Sequence, residues 1–567
     1  MQLRFLAAAG DGEQLPPIRD RAAKAGLVER LRTASLSVWT YPETLVVLGP
    51  GRSILIGWLY DRESREQVGT LPDIPDLEAH LLGRHWGAYV LFAADGSRHL
   101  ALREPSGSVP VYHAAAGGVS LYASDAALLK VAMPRPMSPD FHFIRHWLTF
   151  PYLRGARTGA EGVLELLPGT CRRADGAQAT IITSWSPFDH VHRGRAVVDF
   201  ESAARMLRKE ALAAIPRLAP PDGRIVLQLS GGLDSSIVAA SLSTTGRKFS
   251  AVTFATRAGD GDERRYARAS AKRTGAELVE LIEEDLPVDP LDLAEADPLR
   301  PGPNPLLRPL HRALAAELAR SGADCVLDGA GGDNLFGYLN TASPVVDAFR
   351  QAGLGTGLGA LHDLANLHGA NLWSVAGYAL RRALRRAAPV WRRDESFLAP
   401  GAAVSRPDDH PWLNAPAGIP AGAADHVRTI LGIHHFLSDS QPGAPLRLHP
   451  LLAQPLLELC LGIPSWLWFH GGRDRAVARE AFRNMVPDAI LDRRGKGRLE
   501  SMFMKGYRSV RPRLEPFLRD GRLAAAGIID GAAVSSYLRR PGEPRDAAYI
   551  RLLEIASAEQ WLRSFDR

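Results

Sequence analysis

A short segment with two glycines, three serines and one acid carries the most specific chemical signal in the sequence: SGGLDSS, residues 230–236. It follows a hydrophobic strand and opens a helix. Gly231 and Gly232 let backbone amides turn toward an anion, and a helix N-terminus adds partial positive charge. The serines can donate hydroxyl hydrogen bonds. The Gly-Lys-Ser/Thr ending of a Walker A loop is missing, so the segment predicts a phosphate site of another type.

The acid in this loop predicts a metal ion. A carboxylate beside phosphate repels its ligand unless a cation lies between them, so Asp234 indicates Mg²⁺. A second glycine loop, CVLDGAGGDNLFGY at residues 325–338, ends a later strand. Parallel strands present their carboxyl ends at one edge of the sheet, where ligands bind. We therefore expect Asp333 to meet Asp234 across the same phosphates and to share the magnesium.

A third candidate is the lysine in DRRGKGRLES, residues 492–501. Only seven lysines occur among the 68 basic residues of the chain, so arginine is its default cation. Lys496 is therefore a candidate catalytic residue. It would neutralise a pyrophosphate leaving group and the charge that develops in the transition state.

Composition favours an ordinary globular protein of two or three domains. Of the 567 residues 46% are hydrophobic and 23% charged, and no apolar run approaches the length of a bilayer span. The net charge of +6 is small for this length and no long basic tract occurs, so we expect no nucleic-acid partner. The N-terminus is a poor signal peptide. Three scattered cysteines, Cys171, Cys325 and Cys460, predict a cytoplasmic protein without disulfides.

Periodicity divides the chain into two parts. Residues 1–190 read as short alternating strands separated by turns, and the chain from residue 195 onward alternates strands with helices. That alternation predicts a parallel sheet flanked by helices. Helices dominate after residue 338. The Pro/Gly-rich stretch at 375–425 reads as an irregular surface segment whose removal would leave the fold intact.

Five separate motifs resemble, in family order, the synthetase half of the asparagine synthetase superfamily: SGGLDSS, GDERRYA, the second loop, HPLLAQPLLELCLGIP and AREAF with the Arg-x-Lys that contains Lys496. The segments LLGRHWGAYVLFAADG, REPSGSVPVYHAAAGGVSLYASD and LELLPGT resemble its amidohydrolase-like half. The resemblance implies an Ntn-type β-sandwich domain over 1–190 and a pyrophosphate-loop α/β domain over 195–567 with extra C-terminal helices. It implies ATP contacts at Leu229, Ser230, Gly231, Gly232, Asp234, Ser235, Ser236, Thr253, Asp328 and Gly329.

Three departures from the family pattern narrow the chemistry. Glutamine-dependent asparagine synthetases carry a cysteine after Met1, whereas this chain has Gln2 and no cysteine before Cys171. Its N-terminal domain is therefore expected to be inactive, so ammonia from glutamine is not the nucleophile. Asparagine synthetases resemble Ser-Gly-Glu-Gly-Ala/Ser-Asp-Glu at the second loop, and β-lactam-forming relatives place a tyrosine at the first Glu. Here Ala330 stands at that position and cannot move a proton, and Asn334 replaces the later acid.

The form GGDN followed by Leu-Phe resembles the lasso-peptide macrocyclases. That resemblance implies adenylation of an Asp or Glu side chain of a precursor peptide, followed by attack of its N-terminal amine to close an isopeptide ring. It also implies a leader-removing protease and a leader-binding protein as partners. Alternatives are an ammonia-dependent asparagine synthetase, a β-lactam-type synthetase, a non-catalytic peptide-binding scaffold and an RNA-modifying pyrophosphate-loop enzyme. The region after residue 338, including 375–425, is the candidate wall that holds the peptide.

Overall fold

The computed structural model describes most of the chain. The described residues are 3–10, 13–176, 178–192, 199–255, 262–282, 291, 299–302, 305–337, 339–384, 391–437, 443–493, 495, 500–542, 544 and 546–566.

Two antiparallel six-stranded sheets form the first part of the chain. Their strands are β1 (Phe5–Ala9), β2 (Val28–Arg32), β3 (Leu36–Thr40), β4 (Val46–Leu48), β5 (Ser53–Asp61), β6 (His85–Asp95), β7 (Arg98–Arg103), β8 (Tyr112–Ala116), β9 (Val119–Ala123), β10 (Val163–Glu165), β11 (Thr170–Asp175) and β12 (Gln178–Thr183). The strand orders are β10-β8-β9-β1-β3-β2 and β12-β11-β7-β6-β5-β4. The sheets pack face to face, with the rings of Phe5 and Phe92 5.3 Å apart. Four helices accompany them: α1 (Pro16–Lys24), α2 (Leu77–Arg84), α3 (Ala126–Ala132) and α4 (Phe141–Thr149).

A five-stranded parallel sheet follows. Its strands are β13 (Ile225–Gln228), β14 (Phe249–Ala255), β15 (Glu277–Ile282), β16 (Cys325–Leu327) and β17 (Leu446–Leu448), in the order β15-β14-β13-β16-β17. The connecting helices are α5 (Phe200–Leu218), α6 (Leu233–Ser243), α7 (Arg264–Thr274), α8 (Arg308–Ser321) and α9 (Gly332–Leu335). The central strands β13 and β16 are neighbours, so the loops that follow them lie side by side.

Helices make up most of the remaining chain: α10 (Ser343–His368), α11 (Leu372–Leu384), α12 (Ala421–Ile433), α13 (Gln454–Gly462), α14 (Ala476–Ala481), α15 (Asp488–Leu491), α16 (Glu500–Arg519), α17 (Arg522–Ala525), α18 (Gly531–Leu538) and α19 (Ala548–Arg563). Helix α10 is kinked at Gly353, where φ is 84°. Short 3-10 turns lie at Pro187–Asp189, Pro305–Leu307, His434–Phe436, Pro450–Leu452, Ser465–Gly472 and Ser564–Asp566. No helix in the described ranges is long and apolar enough to cross a bilayer.

The two parts of the chain share one hydrophobic core. The largest buried cluster contains residues from the antiparallel sheets and from the parallel sheet with its helices. Polar contacts cross the same boundary. Trp58 Nε1 donates to the Arg217 carbonyl oxygen at 3.2 Å, and Arg62 Nη2 donates to Glu458 Oε1 at 2.9 Å. The predicted α/β class is confirmed: antiparallel sheets are followed by a parallel sheet with extra helices. The predicted domain limits of 1–190 and 195–567 remain a prediction.

The expectation that 375–425 is a dispensable surface segment is wrong. The stretch contains parts of α11 and α12, and Trp412 is only 1% exposed. His410 is also buried, and its Nδ1 accepts from the Trp412 backbone N–H. The Trp391 indole donates to the Pro151 carbonyl oxygen at 2.9 Å. Because these groups belong to the core and to contacts with the first part of the chain, deleting the segment would unfold the protein. Its apolar anchors are spaced too widely for a local periodicity to reveal them.

Candidate active site

The first glycine loop is packed too tightly to accept a side chain. Gly231 has φ 76°, and a Cβ there would lie 2.6 Å from the Ala267 backbone nitrogen at the start of α7. Gly232 caps helix α6 with an extended backbone. The Ser230 and Ser235 hydroxyls are 3.2 Å apart. Strand β13 therefore delivers the loop, α7 supports it from behind, and α6 directs its N-terminus toward the carboxyl edge of the sheet.

The second loop lies directly against the first. A Cβ on Gly329 would be 2.5 Å from the Ser235 backbone nitrogen, and one on Gly332 would be 2.4 Å from Asp234 Cγ. Glycine at both positions is therefore a packing requirement rather than a turn requirement. The structure thus brings the two sequence-predicted loops together at the carboxyl ends of β13 and β16, as expected.

The two predicted metal ligands converge on one cation of the protein itself. Arg475 Nη1 contacts Asp234 Oδ1 at 3.1 Å and Asp333 Oδ1 at 2.6 Å. The side chains of Arg475 and Asp234 are 7% and 11% exposed, while Asp333 is 40% exposed. Burial disfavours the charged guanidinium, but Asp234, Asp333 and Asp474 outweigh it and raise the pKa of Arg475. A positive charge is therefore stabilised between the two carboxylates.

This geometry fits a magnesium ion. Mg²⁺ is commonly bound by one or two protein carboxylates together with substrate phosphates. Asp234 and Asp333 come from adjacent loops and face the same point, and one of them is open to solvent. For a metal ion to bind at this point, the Arg475 side chain would have to move away or share the two carboxylates with the ion. The chemistry of the donor set and its place beside two glycine loops both suit a nucleotide-bound metal.

The remaining predicted nucleotide contacts lie along the same edge. Leu229 is buried and its N–H donates to the Val252 carbonyl oxygen at 2.8 Å. The hydroxyls of Ser236 and Thr253 are buried and have no hydrogen-bond partner among the described residues. Unpaired buried hydroxyls are costly unless a ligand or water satisfies them. Lys496 lies outside the described residues, so its predicted contact with the phosphates stays a prediction.

The two substituted positions of the second loop have different surroundings. Ala330 offers only a methyl group, and its backbone N–H donates to Asp328 Oδ1 at 3.0 Å. Asn334 is turned toward helix α12, where its Nδ2 donates to the Thr429 carbonyl oxygen at 2.6 Å. Asn334 therefore ties the second loop to α12 by a neutral hydrogen bond that an acidic side chain could not donate.

Two residues that sequence analysis did not assign belong to this site. Arg475 caps α14 in a left-handed conformation, with φ 53°. His449 follows β17, and its Nδ1 lies 2.8 Å from Asp328 Oδ1. Arg447 Nη1 lies 3.3 Å from the other oxygen of Asp328. His449 is the first residue of the motif HPLLAQPL, and Arg475 lies just before AREAF. Their neighbouring motifs therefore pointed to both residues, although neither motif predicts what they do.

Buried charges lie at the boundary between the antiparallel sheets and the rest of the protein. Arg103 Nη1 donates to Glu165 Oε1 at 2.7 Å, and Arg154 Nε donates to Glu165 Oε2 at 2.8 Å. Arg300 also contacts Glu165. Arg154 Nη1 also donates to the carbonyl oxygen of Leu437, a residue that follows β16 in the sequence. Gln2, on which the expectation of an inactive domain rests, lies outside the described residues.

Comparison with known proteins identifies the class. The model of the asparagine synthase family matches residues 213–563, which is more than half of the chain. The chain therefore belongs to the asparagine synthase family. Membership implies an ATP-dependent, amide-forming ligase, and it agrees with the predicted superfamily. No protein of curated function matches the chain.

Three solved structures show weak likenesses to the chain. One is the allosteric regulatory enzyme of purine biosynthesis, with 11% identity over 49% of this chain and 80% of the other, at a TM-score of 0.21. Another is glutamine phosphoribosylpyrophosphate amidotransferase from B. subtilis, with 12% identity over 50% and 75% and a TM-score of 0.19. The U34-tRNA thiolase NcsA from Methanococcus maripaludis has 14% identity over 52% and 83% and a TM-score of 0.19. Likenesses of this size carry no argument about activity.

Proposed function

We propose that the protein is a lasso-peptide macrocyclase. It adenylates the side-chain carboxylate of an Asp or Glu in a precursor peptide, and the N-terminal amine of that peptide then closes an isopeptide ring. The peptide carboxylate attacks the α-phosphorus of ATP and pyrophosphate leaves. The amine nitrogen then attacks the acyl carbon, the bond to AMP breaks, and one proton is lost from nitrogen. Family membership supports ATP-dependent amide formation, and the second loop supports the choice of nucleophile.

The second loop is the observation that carries the proposal. Position 330, where asparagine synthetases have a glutamate and β-lactam-forming relatives a tyrosine, bears only a methyl group. Ala330 cannot carry out the proton transfer of either kind of relative. Asn334 holds the loop to α12 instead of adding an acid. An amine already tethered to the activated carboxylate is the nucleophile that best fits a loop without those groups.

The residues of the sheet edge have separate roles in this proposal. Asp234 and Asp333 would hold Mg²⁺, which neutralises the phosphates when bound. The amides of Gly231 and Gly232 and the hydroxyls around them would hold the pyrophosphate. The adenosine would lie against Leu229, Thr253 and Gly329, beside Asp328. Lys496 would stabilise the departing charge, and Arg475 would take over the carboxylates again once the metal and pyrophosphate have left.

The main difficulty of ring closure is to position the peptide, rather than the chemical step itself. Closing an eight- or nine-residue ring costs only about 2 kcal/mol in length-dependent loop entropy. Fixing a threaded peptide costs roughly 1–2 kcal/mol for each ordered residue. Holding the amine at the acyl-adenylate can contribute about 7–11 kcal/mol to the rate. The helical region after residue 338, including 375–425, is the proposed wall that holds the folded peptide.

The proposed setting is cytoplasmic, as one member of a pathway that makes a ribosomally synthesised peptide antibiotic. A leader-removing protease and a leader-binding protein would act with this chain on the precursor peptide. The pathway would therefore supply a peptide with a free N-terminal amine and an Asp or Glu seven to nine residues into its core.

The test is a reconstitution with ATP, Mg²⁺ and the precursor encoded beside the gene. We expect AMP, pyrophosphate and a peptide lighter by one water. Asp234→Asn should abolish all three products, because it removes one metal ligand. Asp95→Asn is the matched control, since that carboxylate is exposed on a distant hairpin and pairs only with exposed Arg52 among the residues described.

Three outcomes would contradict the proposal. Formation of asparagine from aspartate and ammonia, with no peptide product, would favour an ammonia-dependent synthetase. Dehydration of a small amino acid to a β-lactam would favour that class of relative. AMP without any peptide product, in the presence of the correct precursor, would also defeat the cyclase assignment.

A further inference from the structure

The carboxyl edge of the parallel sheet contains a carboxylate–imidazole pair whose imidazole none of the roles above uses. Asp328 directly follows β16 and His449 directly follows β17, and these strands are neighbours. The two side chains therefore meet at the edge that carries both glycine loops. His449 and Asp328 are both buried, at 6% and 8% exposure.

The contact fixes which ring nitrogen of His449 is free to accept a proton. Nδ1 lies 2.8 Å from Asp328 Oδ1. An ionised carboxylate only accepts hydrogen bonds, so Nδ1 must carry the hydrogen. In the neutral ring Nε2 then holds the lone pair. This nitrogen is buried and has no hydrogen-bond partner among the described residues.

Asp328 is well suited to hold the ring in this form. Burial opposes ionisation of its carboxyl, but His449, Arg447 and the Ala330 N–H outweigh burial and keep the pKa below its ordinary value. Among the described residues, Arg447 of β17 contacts Asp328. Burial and the same guanidinium lower the pKa of His311 on α8. A carboxylate that orients an imidazole and stabilises its protonated form is a recurrent arrangement for general bases.

The pair lies beside the position that lacks a proton acceptor. The Ala330 N–H donates to the same Asp328 oxygen, Oδ1, that contacts His449. Asparagine synthetases resemble Ser-Gly-Glu over positions 328–330, whereas this chain has Asp-Gly-Ala. The acid is thus displaced by two residues and coupled to a histidine. A buried imidazole nitrogen without a hydrogen-bond partner is energetically unfavourable, which calls for an explanation.

We propose that His449 is the general base of ring closure, with Asp328 as its positioning residue. This inference rests on the proposed function. As the peptide amine attacks the acyl carbon, the carbon–oxygen bond to AMP breaks and the excess proton on nitrogen passes to Nε2. The Nδ1 hydrogen stays on the ring and remains bonded to Asp328. The proton is later released to water, and no further reactant is needed.

The experiment separates the two half-reactions in His449→Gln. Adenylation is measured as peptide-dependent exchange of pyrophosphate into ATP, and ring closure as cyclic peptide formed per turnover. We expect exchange to stay within about 2-fold, because the substitution leaves both glycine loops and their acids in place. Ring closure should fall by about 100- to 10,000-fold, the usual contribution of a general base.

A strong, neutral nucleophile provides the internal check. Hydroxylamine captures an acyl-adenylate without help from a base, so its capture rate should match that of the wild-type protein. The residual ring closure of the variant should rise with pH as the peptide amine itself loses its proton, near its ordinary pKa of about 7.7–8.0. Wild-type ring closure should rise over the same range, because only the neutral amine attacks, and should stay about 100- to 10,000-fold above that of the variant. His80→Gln, at a partly exposed site on α2 in the antiparallel part of the chain, is the control.

A purely structural role for His449 predicts a different result. Exchange, capture and ring closure would then fall together, and that outcome overturns the proposal, as would ring closure within a few-fold of the wild-type rate. If His449→Gln does not fold, Asp328→Asn tests the same pair through orientation of the ring. This substitution should lower ring closure more than pyrophosphate exchange. An equal loss in both would refute the role proposed for the pair. A wild-type protein that forms no cyclic peptide would instead refute the proposed function.

Discussion

Removing one buried carboxylate should loosen the part of the protein with the two antiparallel sheets from the rest. Glu165 is 1% exposed and is the shared acceptor of three arginines, Arg103, Arg154 and Arg300. Two of them are themselves almost completely buried. In Glu165→Gln the side chain keeps its shape but loses its charge, so the buried guanidiniums lose the carboxylate that they share.

The expected cost follows from these contacts. Breaking a buried ion pair by removing one partner typically costs about 3–5 kcal/mol, because the remaining charge is uncompensated. Unfolding entropy is about 2.1 cal/mol/K per residue, so for 567 residues around a shared core each kcal/mol lowers the melting temperature by about 1 °C, and we expect a fall of about 3–4 °C. The arginines hold the pKa of Glu165 well below its ordinary range, although burial opposes them. Its contribution is therefore complete above about pH 4.3 and is lost as the pH falls below that value.

Differential scanning calorimetry at pH 7 and at lower pH measures both effects. Glu161→Gln is the control, because Glu161 is exposed and accepts only from Ser138 Oγ among the described groups. A loss below about 1 kcal/mol at pH 7 would refute the reasoning. The reasoning would also be refuted if the difference in unfolding free energy between wild type and Glu165→Gln increased as the pH is lowered.

Three further substitutions test the site and its supports. Gly329→Ala places a Cβ 2.5 Å from a backbone nitrogen of the first loop and should lower adenylation at least about 100-fold, whereas Gly359→Ala, with open space around it, should not. Asn334→Ala removes the hydrogen bond to the Thr429 carbonyl and should destabilise the protein by about 0.5–1.5 kcal/mol in urea unfolding; an unchanged midpoint would contradict this. Burial raises the pKa of Asp347 to about 6, so stability should fall as the pH rises from about 4 to 6. Asp347→Asn should reduce this dependence of stability on pH. The same dependence in the variant and the wild type would contradict the prediction.

Local patterns were enough to predict the two glycine loops. Each consists of a hydrophobic strand, small residues and a helix start within about a dozen positions, and that information is contiguous in the sequence. The parallel sheet then brings Asp234 and Asp333 to one edge, because strands of a βαβ fold all end on the same side. The first loop, the second loop and their convergence could therefore be predicted from the sequence alone.

Long-range pairings could not be predicted in the same way. Arg475 reaches Asp234 across 241 positions, and His449 reaches Asp328 across 121. No periodicity records such distances. Asn334 was recognised as unusual, but its partner is a backbone carbonyl of α12, which no side-chain motif can reveal. The same limitation explains the error at 375–425, where widely spaced anchors such as Trp412 are buried by segments from elsewhere in the chain.

The order of synthesis gives the C-terminal helices a particular consequence. Phe143, Ile144 and Leu148 of α4 are buried in a cluster whose other members come mainly from α16–α19. Trp561, about 400 residues later in the chain, fills the space that a side chain at Gly159 would need. A ribosome must therefore add several hundred further residues before this face of α4 can be covered. Until then an apolar surface made early in translation stays exposed, so a nascent or prematurely terminated chain is a natural substrate for chaperones and proteases.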